Sequence, residues 1–373
     1  MKTILMNICK LVLISLLVSC QQRHEGKNNQ SMNDTIKAND EEKSIVKLEN
    51  STIVLHMNLN GGSYIDFHIK EQPLNPLNFL LEVPPQPPYM GHFLCFDRWG
   101  PPTESEKTNG FTHHGEANLQ VWKMLDENNS GCTMKCSLPM GGLELIRDVK
   151  LSDSEPVFFV TEKIKNLNKY GRMFNIVQHV TIAPPFLTKS TIFDNNTEKG
   201  FENKEDGSLN QEETILNWPV ASHNGEKISL RHFDNAWPRV TSFTFSQDEE
   251  YGWVTACNPK EKLMLGYIWK TEEYPWINFW RSMDNGLPIA FGMEFGTTGF
   301  HEPFPIIAKK GKIFGRNIYD FIDANEELNK SFIAFLAKIP EDYKGVEKVE
   351  IKDSFLNIKE KGRVSQDITY KIK

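Results

Sequence analysis

From about residue 46 onward the chain alternates apolar and polar side chains with a period of two, and turn residues separate most of the runs. That period belongs to strands, because successive side chains of an extended backbone point to opposite faces. Ile53, Leu55 and Met57 alternate with Val54, His56 and Asn58. Gly61-Gly62 supplies a turn, and Tyr64, Asp66 and His68 alternate with Ile65, Phe67 and Ile69. This is the pattern of a hairpin. Similar runs recur at 119–125, 132–138, 143–151, 157–165, 173–183, 228–233, 240–247, 251–257, 262–269, 276–281, 288–295, 331–339 and 346–351. Leu328, Phe332 and Phe335 also fit a short helix over 329–338, and the aromatic content fits a strand equally well. A total of about fifteen strands with few helices predicts an all-β chain built as a large β-sandwich. With no internal repeat and no change of composition after residue 46, we expect a single domain over 46–373.

The first 45 residues read differently. An apolar run, densest from Leu11 to Val18, follows Lys2 and ends in Leu17-Val18-Ser19-Cys20. It is too short to span a bilayer and fits a signal peptide over 1–19. The ending resembles a bacterial lipoprotein signal, which makes Cys20 the lipidated first residue of the mature chain. The expected location is the cell envelope, anchored on the periplasmic face or the cell surface without crossing the membrane. Residues 20–45 are polar, with almost no aromatics, and read as a flexible tether.

The formal net charge of −7, with no basic block beyond the first few residues, argues against nucleic acid as a partner. Walker, Ser-His-Asp and His-Glu-x-x-His signatures are absent from the sequence, and no cofactor or metal is expected. Cys132 and Cys136, read as a strand, lie about 13 Å apart on one face. A disulfide needs roughly 4.4–6.8 Å. Cys95, Cys132, Cys136 and Cys257 are therefore expected as buried free thiols rather than a disulfide or zinc site. Pro84-Pro85-Gln86-Pro87-Pro88 and Trp99-Gly100-Pro101-Pro102 read as stiff loops.

Three segments carry the candidate chemistry. One is His113-His114-Gly115-Glu116-Ala117 with Trp122; the second leads from 160–167 to Gln178-His179; the third is Gly292-Met293-Glu294. Their order and spacing resemble the galactose mutarotase-like superfamily, which includes the aldose 1-epimerases. The resemblance implies a β-supersandwich that binds a sugar or oligosaccharide. It implies Glu294 as the base that takes the anomeric hydroxyl proton, His179 as the acid on the ring oxygen, and His114 as a ring-binding residue. Histidine suits such work because its ordinary pKa lies near neutrality. His179 and Glu294 would then lie on opposite sides of a space one sugar ring wide. A non-catalytic carbohydrate-binding protein of the same fold is the alternative.

The chain departs from the family pattern at Asn118, where an arginine is usual; Arg98 is the expected substitute. Asp234 is the candidate for a sugar-binding aspartate. His113 and Trp122 are expected to touch substrate, while Glu116 is expected to be a solvated loop residue. Trp276 and Trp280, four apart on one strand face, are either core or a platform for a pyranose ring, and Trp276 is expected to touch substrate.

Overall fold

Side-chain alternation along the strands explains how the chain stacks its sheets. A computed structural model describes residues 44–223, 226–233, 240–363 and 367–372. Contacts within Ser44–Lys373 make it one unit. A 13-stranded sheet runs in the order Ile45–Glu49, Ile53–Asn58, Ser63–Ile69, His92–Asp97, Arg172–Ile182, Leu287–Gly296, Trp276–Asp284, Thr241–Phe245 and Thr197–Glu202. The short strands between Leu216 and Ser229 continue it, and Asp320–Ile322 pairs on Arg172–Ile182. An 8-stranded sheet runs Ile192–Asn195, Tyr251–Asn258, Leu263–Lys270, Glu327–Lys338, Val157–Asn166, Leu143–Leu151, Gly131–Leu138 and Lys123–Asn128.

The inner faces of the two sheets form the main core. Trp269 of the smaller sheet stacks on Phe295 of the larger, ring centroids 4.1 Å apart. The Ile53–Ile69 hairpin forms as its alternation predicts, with one change. A register shift between His56 and Met57 brings Met57 opposite Tyr64, so Tyr64 and Phe67 are both buried. Such a bulge re-aims one side chain while the pairing continues.

In the smaller sheet Tyr251–Asn258 and Leu263–Lys270 are buried on both faces. A three-stranded sheet, Val346–Lys352, Phe355–Glu360 and Ile368–Lys371, packs Val349, Leu356 and Ile358 with Trp253, Ile268 and Phe335. Segment 329–338, open between helix and strand in the sequence, lies in the strand Glu327–Lys338, which is paired on both sides. The proline-rich stretch at 84–88 is not a loop alone: Leu80–Val83 and Gln86–Met90 form a hairpin around it. All four described cysteines are buried and free. Among the described residues no helix is long and apolar enough to cross a membrane. The segment 1–43, with Cys20, lies outside the described residues.

Candidate functional site

The outer face of the large sheet carries the site, and strand register assembles it. His179 on Arg172–Ile182 stands directly opposite Phe93 on one neighbour and Glu294 on the other. The alternate residues, Gln178 and Phe295, also stand opposite each other and turn into the inter-sheet core. A two-residue period therefore divides one strand pair between a packed core and an open cleft.

His179 Nε2 lies 3.1 Å from Glu294 Oε1. The second carboxyl oxygen of Glu294 accepts the Trp99 indole N–H at 2.8 Å. His179 Nδ1 lies 2.9 Å from Thr181 Oγ1, two residues along the same strand face. Phe93 stacks on the imidazole, centroids 4.0 Å apart. Gly292 makes room for the group: a Cβ there would lie 2.1 Å from the Trp280 ring and 2.6 Å from Glu294 Oε1. Glu294 is 1% exposed and His179 5%. Burial disfavours charge on both. It pushes the Glu294 carboxyl up to about 8, against the lowering effect of the Trp99 hydrogen bond. It holds His179 well below the usual imidazole range. Burial thus favours the uncharged form of both groups.

The pair borders a cavity of about 500 Å³ whose other walls include Phe79, Tyr89, Phe93, Trp99, His113, His114, Trp280 and His301. The histidine loop reaches it through unusual backbone. Asp97 ends its strand at φ 78°, and His114 and Gly115 have φ of 66° and 82°. At Gly115 a Cβ would lie 2.2 Å from the Phe96 carbonyl oxygen, so glycine is required there. The Tyr89 hydroxyl donates to the His113 carbonyl at 2.9 Å, and Thr112 Oγ1 donates to the Gly115 carbonyl at 2.8 Å. Adjacent residues usually diverge, but here the His113 and His114 rings sit 4.0 Å apart. His301, in the coil after the Glu294 strand, brings a third imidazole. One nitrogen of each of these three rings lies within 4.8 Å of the others.

The structure thus brings together His113, His114, His179 and Glu294. It corrects five expectations. His179 and Glu294 are in direct contact at 3.1 Å, because their strands place them directly opposite, so no ring-wide gap separates them. Arg98 does not replace the missing arginine: its guanidinium pairs with Glu106 and Asp97 and lies over Phe304. Trp122 is core, its indole N–H donating to the Ala117 carbonyl at 3.2 Å and its face covered by Arg147. Trp276 is also core, packed with Phe201, Phe300 and Phe304, whereas Trp280 reaches the cavity. Glu116 is buried and accepts backbone N–H groups from Met140 and Gly141. Asp234 lies outside the described residues. Sequence reasoning missed Trp99, His301 and Glu205. Trp99 stood in a noted Pro/Gly loop, but its partner is 195 residues away.

No protein-family profile and no curated protein matches the chain. Solved structures do. A galactose mutarotase related enzyme from Lactobacillus acidophilus is similar with a TM-score of 0.59 at 12% identity, covering 82% of this chain and 100% of that one. A galactose mutarotase-like protein from Lactobacillus casei gives 0.57 at 10% identity, over 79% of this chain and 100% of that one. A further one, from Clostridium acetobutylicum, gives 0.57 at 10% identity, over 79% and 95%. Over about four fifths of its length the chain adopts the galactose mutarotase-like fold.

Proposed function

We propose that the cavity binds a sugar and that His179 and Glu294 open and reclose its ring by acid–base catalysis. The observation that carries this reading is the 3.1 Å contact between His179 Nε2 and Glu294 Oε1 beside a cavity of about 500 Å³. Ring opening needs one proton delivered to the ring oxygen and one removed from the anomeric hydroxyl. Both oxygens are bonded to the same carbon, so two groups side by side can serve both. A bound sugar replaces their direct contact with a hydrogen bond to each group.

The protonation states assign the roles in reverse of the family expectation. Glu294 holds the proton, so it protonates the ring oxygen as the C1–O bond breaks. His179 takes the hydroxyl proton as the C1 carbonyl forms. The opened aldehyde then faces a carboxylate and an imidazolium, and reclosure returns both protons. Each such group contributes about 10²–10⁴ in rate. Trp280 and Phe93 offer ring faces for the apolar side of a sugar. The Leu11–Cys20 segment supports a lipid-anchored envelope location.

A second reading has its own support. Both groups are nearly covered and in contact with each other, and the cavity walls are largely aromatic. That suits a carbohydrate-binding protein without turnover. NMR exchange between the anomers of a panel of aldoses separates the two. Enhanced exchange that falls about 10²–10⁴-fold in Glu294→Gln supports the enzyme. Sugar binding without enhanced exchange supports the binding protein, and neither binding nor exchange across the panel refutes both.

A further inference from the structure

We infer that His113, His114 and His301 form a divalent transition-metal site, best suited to Zn²⁺, on the wall of the same cavity. The inference does not depend on the acid–base reading, because it rests on other side chains. A nitrogen from each imidazole lies within 4.8 Å of the other two. Tetrahedral zinc with Zn–N bonds of about 2.0–2.1 Å sets its ligand nitrogens about 3.3 Å apart. The nitrogens would draw together by up to about 1.5 Å to reach that spacing.

The surroundings are arranged for ligation. His301 is buried, and its Nδ1 is 2.9 Å from Glu205 Oε1. This leaves Nε2 as the ligand atom. A carboxylate on the far nitrogen is the usual outer support of a metal-bound histidine, fixing its tautomer and orientation. The His301 backbone N–H donates to Asn203 Oδ1 at 2.8 Å, which fixes the residue from behind. His114 Nδ1 accepts the Gly100 N–H at a long 3.4 Å, a contact that ligation through Nε2, with the ring proton on Nδ1, would replace. The left-handed backbone at His114 is what turns two consecutive imidazoles to one side. Such backbone is costly, and it concentrates at functional sites.

Three imidazoles with a fourth position open to a cavity are the ligand set of a catalytic rather than a structural zinc. Water or a ligand oxygen would take the fourth position. His114 lies 5.2 Å from His179 between ring centroids, so an oxygen held there is adjacent to the His179–Glu294 pair.

The test titrates untagged, full-length protein with Co²⁺, reading visible absorption, and then with Zn²⁺ in competition. The expected result is one ion per chain with the intense spectrum of tetrahedral cobalt. His113→Ala is the deciding variant: His113 is exposed, so its removal leaves the fold intact, as circular dichroism would verify. It and His301→Ala should weaken binding by more than the roughly 10–100-fold expected for Glu205→Gln, which removes only the outer support. No uptake by the unmodified chain would overturn the inference. So would stoichiometric binding that survives His113→Ala and His301→Ala undiminished.

Discussion

Two buried glutamates, one on each side of the large sheet, have opposite surroundings. Glu162 lies in the core between the sheets. Its Oε1 accepts Arg147 Nε and pairs with Nη2, each at 2.8 Å, and its Oε2 accepts Gln178 Nε2 at 2.7 Å and the Tyr274 hydroxyl at 3.3 Å. Arg147 also donates to the Gly62 carbonyl and lies over Trp122. Among the described residues no guanidinium pairs with Glu294, which has instead an indole N–H and an imidazole that burial holds well below its usual range. A permanent cation makes a buried carboxylate structural. A titratable neighbour leaves a buried carboxyl with a proton to exchange. Gln178 and His179, consecutive residues, serve these two sites because a strand sends them to opposite faces.

Arg147→Met gives the largest expected effect on this contrast. It strands the Glu162 charge in the core and should cost about 3–5 kcal/mol, read by denaturant unfolding. A smaller loss would mean that the core carboxylate is less dependent on its cation than its contacts imply. Gly292→Ala forces a Cβ into the Trp280 ring and Glu294. Overpacking of this kind costs about 1–3 kcal/mol. The same melt should show it, along with altered anomer exchange.

Glu294→Gln should change stability by less than about 1 kcal/mol at pH 4, where the carboxyl is protonated folded and largely protonated unfolded, because it replaces a neutral carboxyl with a neutral amide. The difference should then grow with pH. The native carboxyl keeps its proton up to about 8, whereas the unfolded one sheds it near 4.5. The folded state therefore binds more protons in that window, and wild-type stability falls as pH rises through it. The variant lacks that loss, so its advantage should increase from pH 4.5 to 8. The buried histidines act in the opposite sense in both proteins. Burial holds His92 down to about 3 and His114 and His179 well below 6.5. The unfolded chain alone takes up those protons, so stability is lost as pH falls below 6.5. The smallest effect is expected for Trp280→Leu, which should lower sugar affinity by about tenfold in calorimetry, the worth of roughly 1.4 kcal/mol of stacking.

Much of the fold was legible because alternation is a local signal. Leu143–Leu151 and Val157–Asn166 appear in the sequence almost to their observed ends. The central pair, His179 and Glu294, was legible through resemblance, but their spacing was not, since register between distant strands is not written in either one. Trp122 and Trp276 show another limit. An indole on a strand has the same sequence pattern whether it faces a ligand or lies beneath Phe300 and Phe304. Trp99, His301 and Glu205 come from connections without periodicity, and only the folded sheet brings them to the cavity.

The proton on Glu294 is the central claim, and its carboxyl can be observed directly. Carbon-13 NMR of glutamate-labelled protein, with the resonance assigned by its absence in Glu294→Gln, follows that group through a pH titration. We predict a carboxyl protonated at neutral pH that ionises near 8. A resonance already ionised at neutral pH, titrating near the ordinary value of 4.5, would contradict the account.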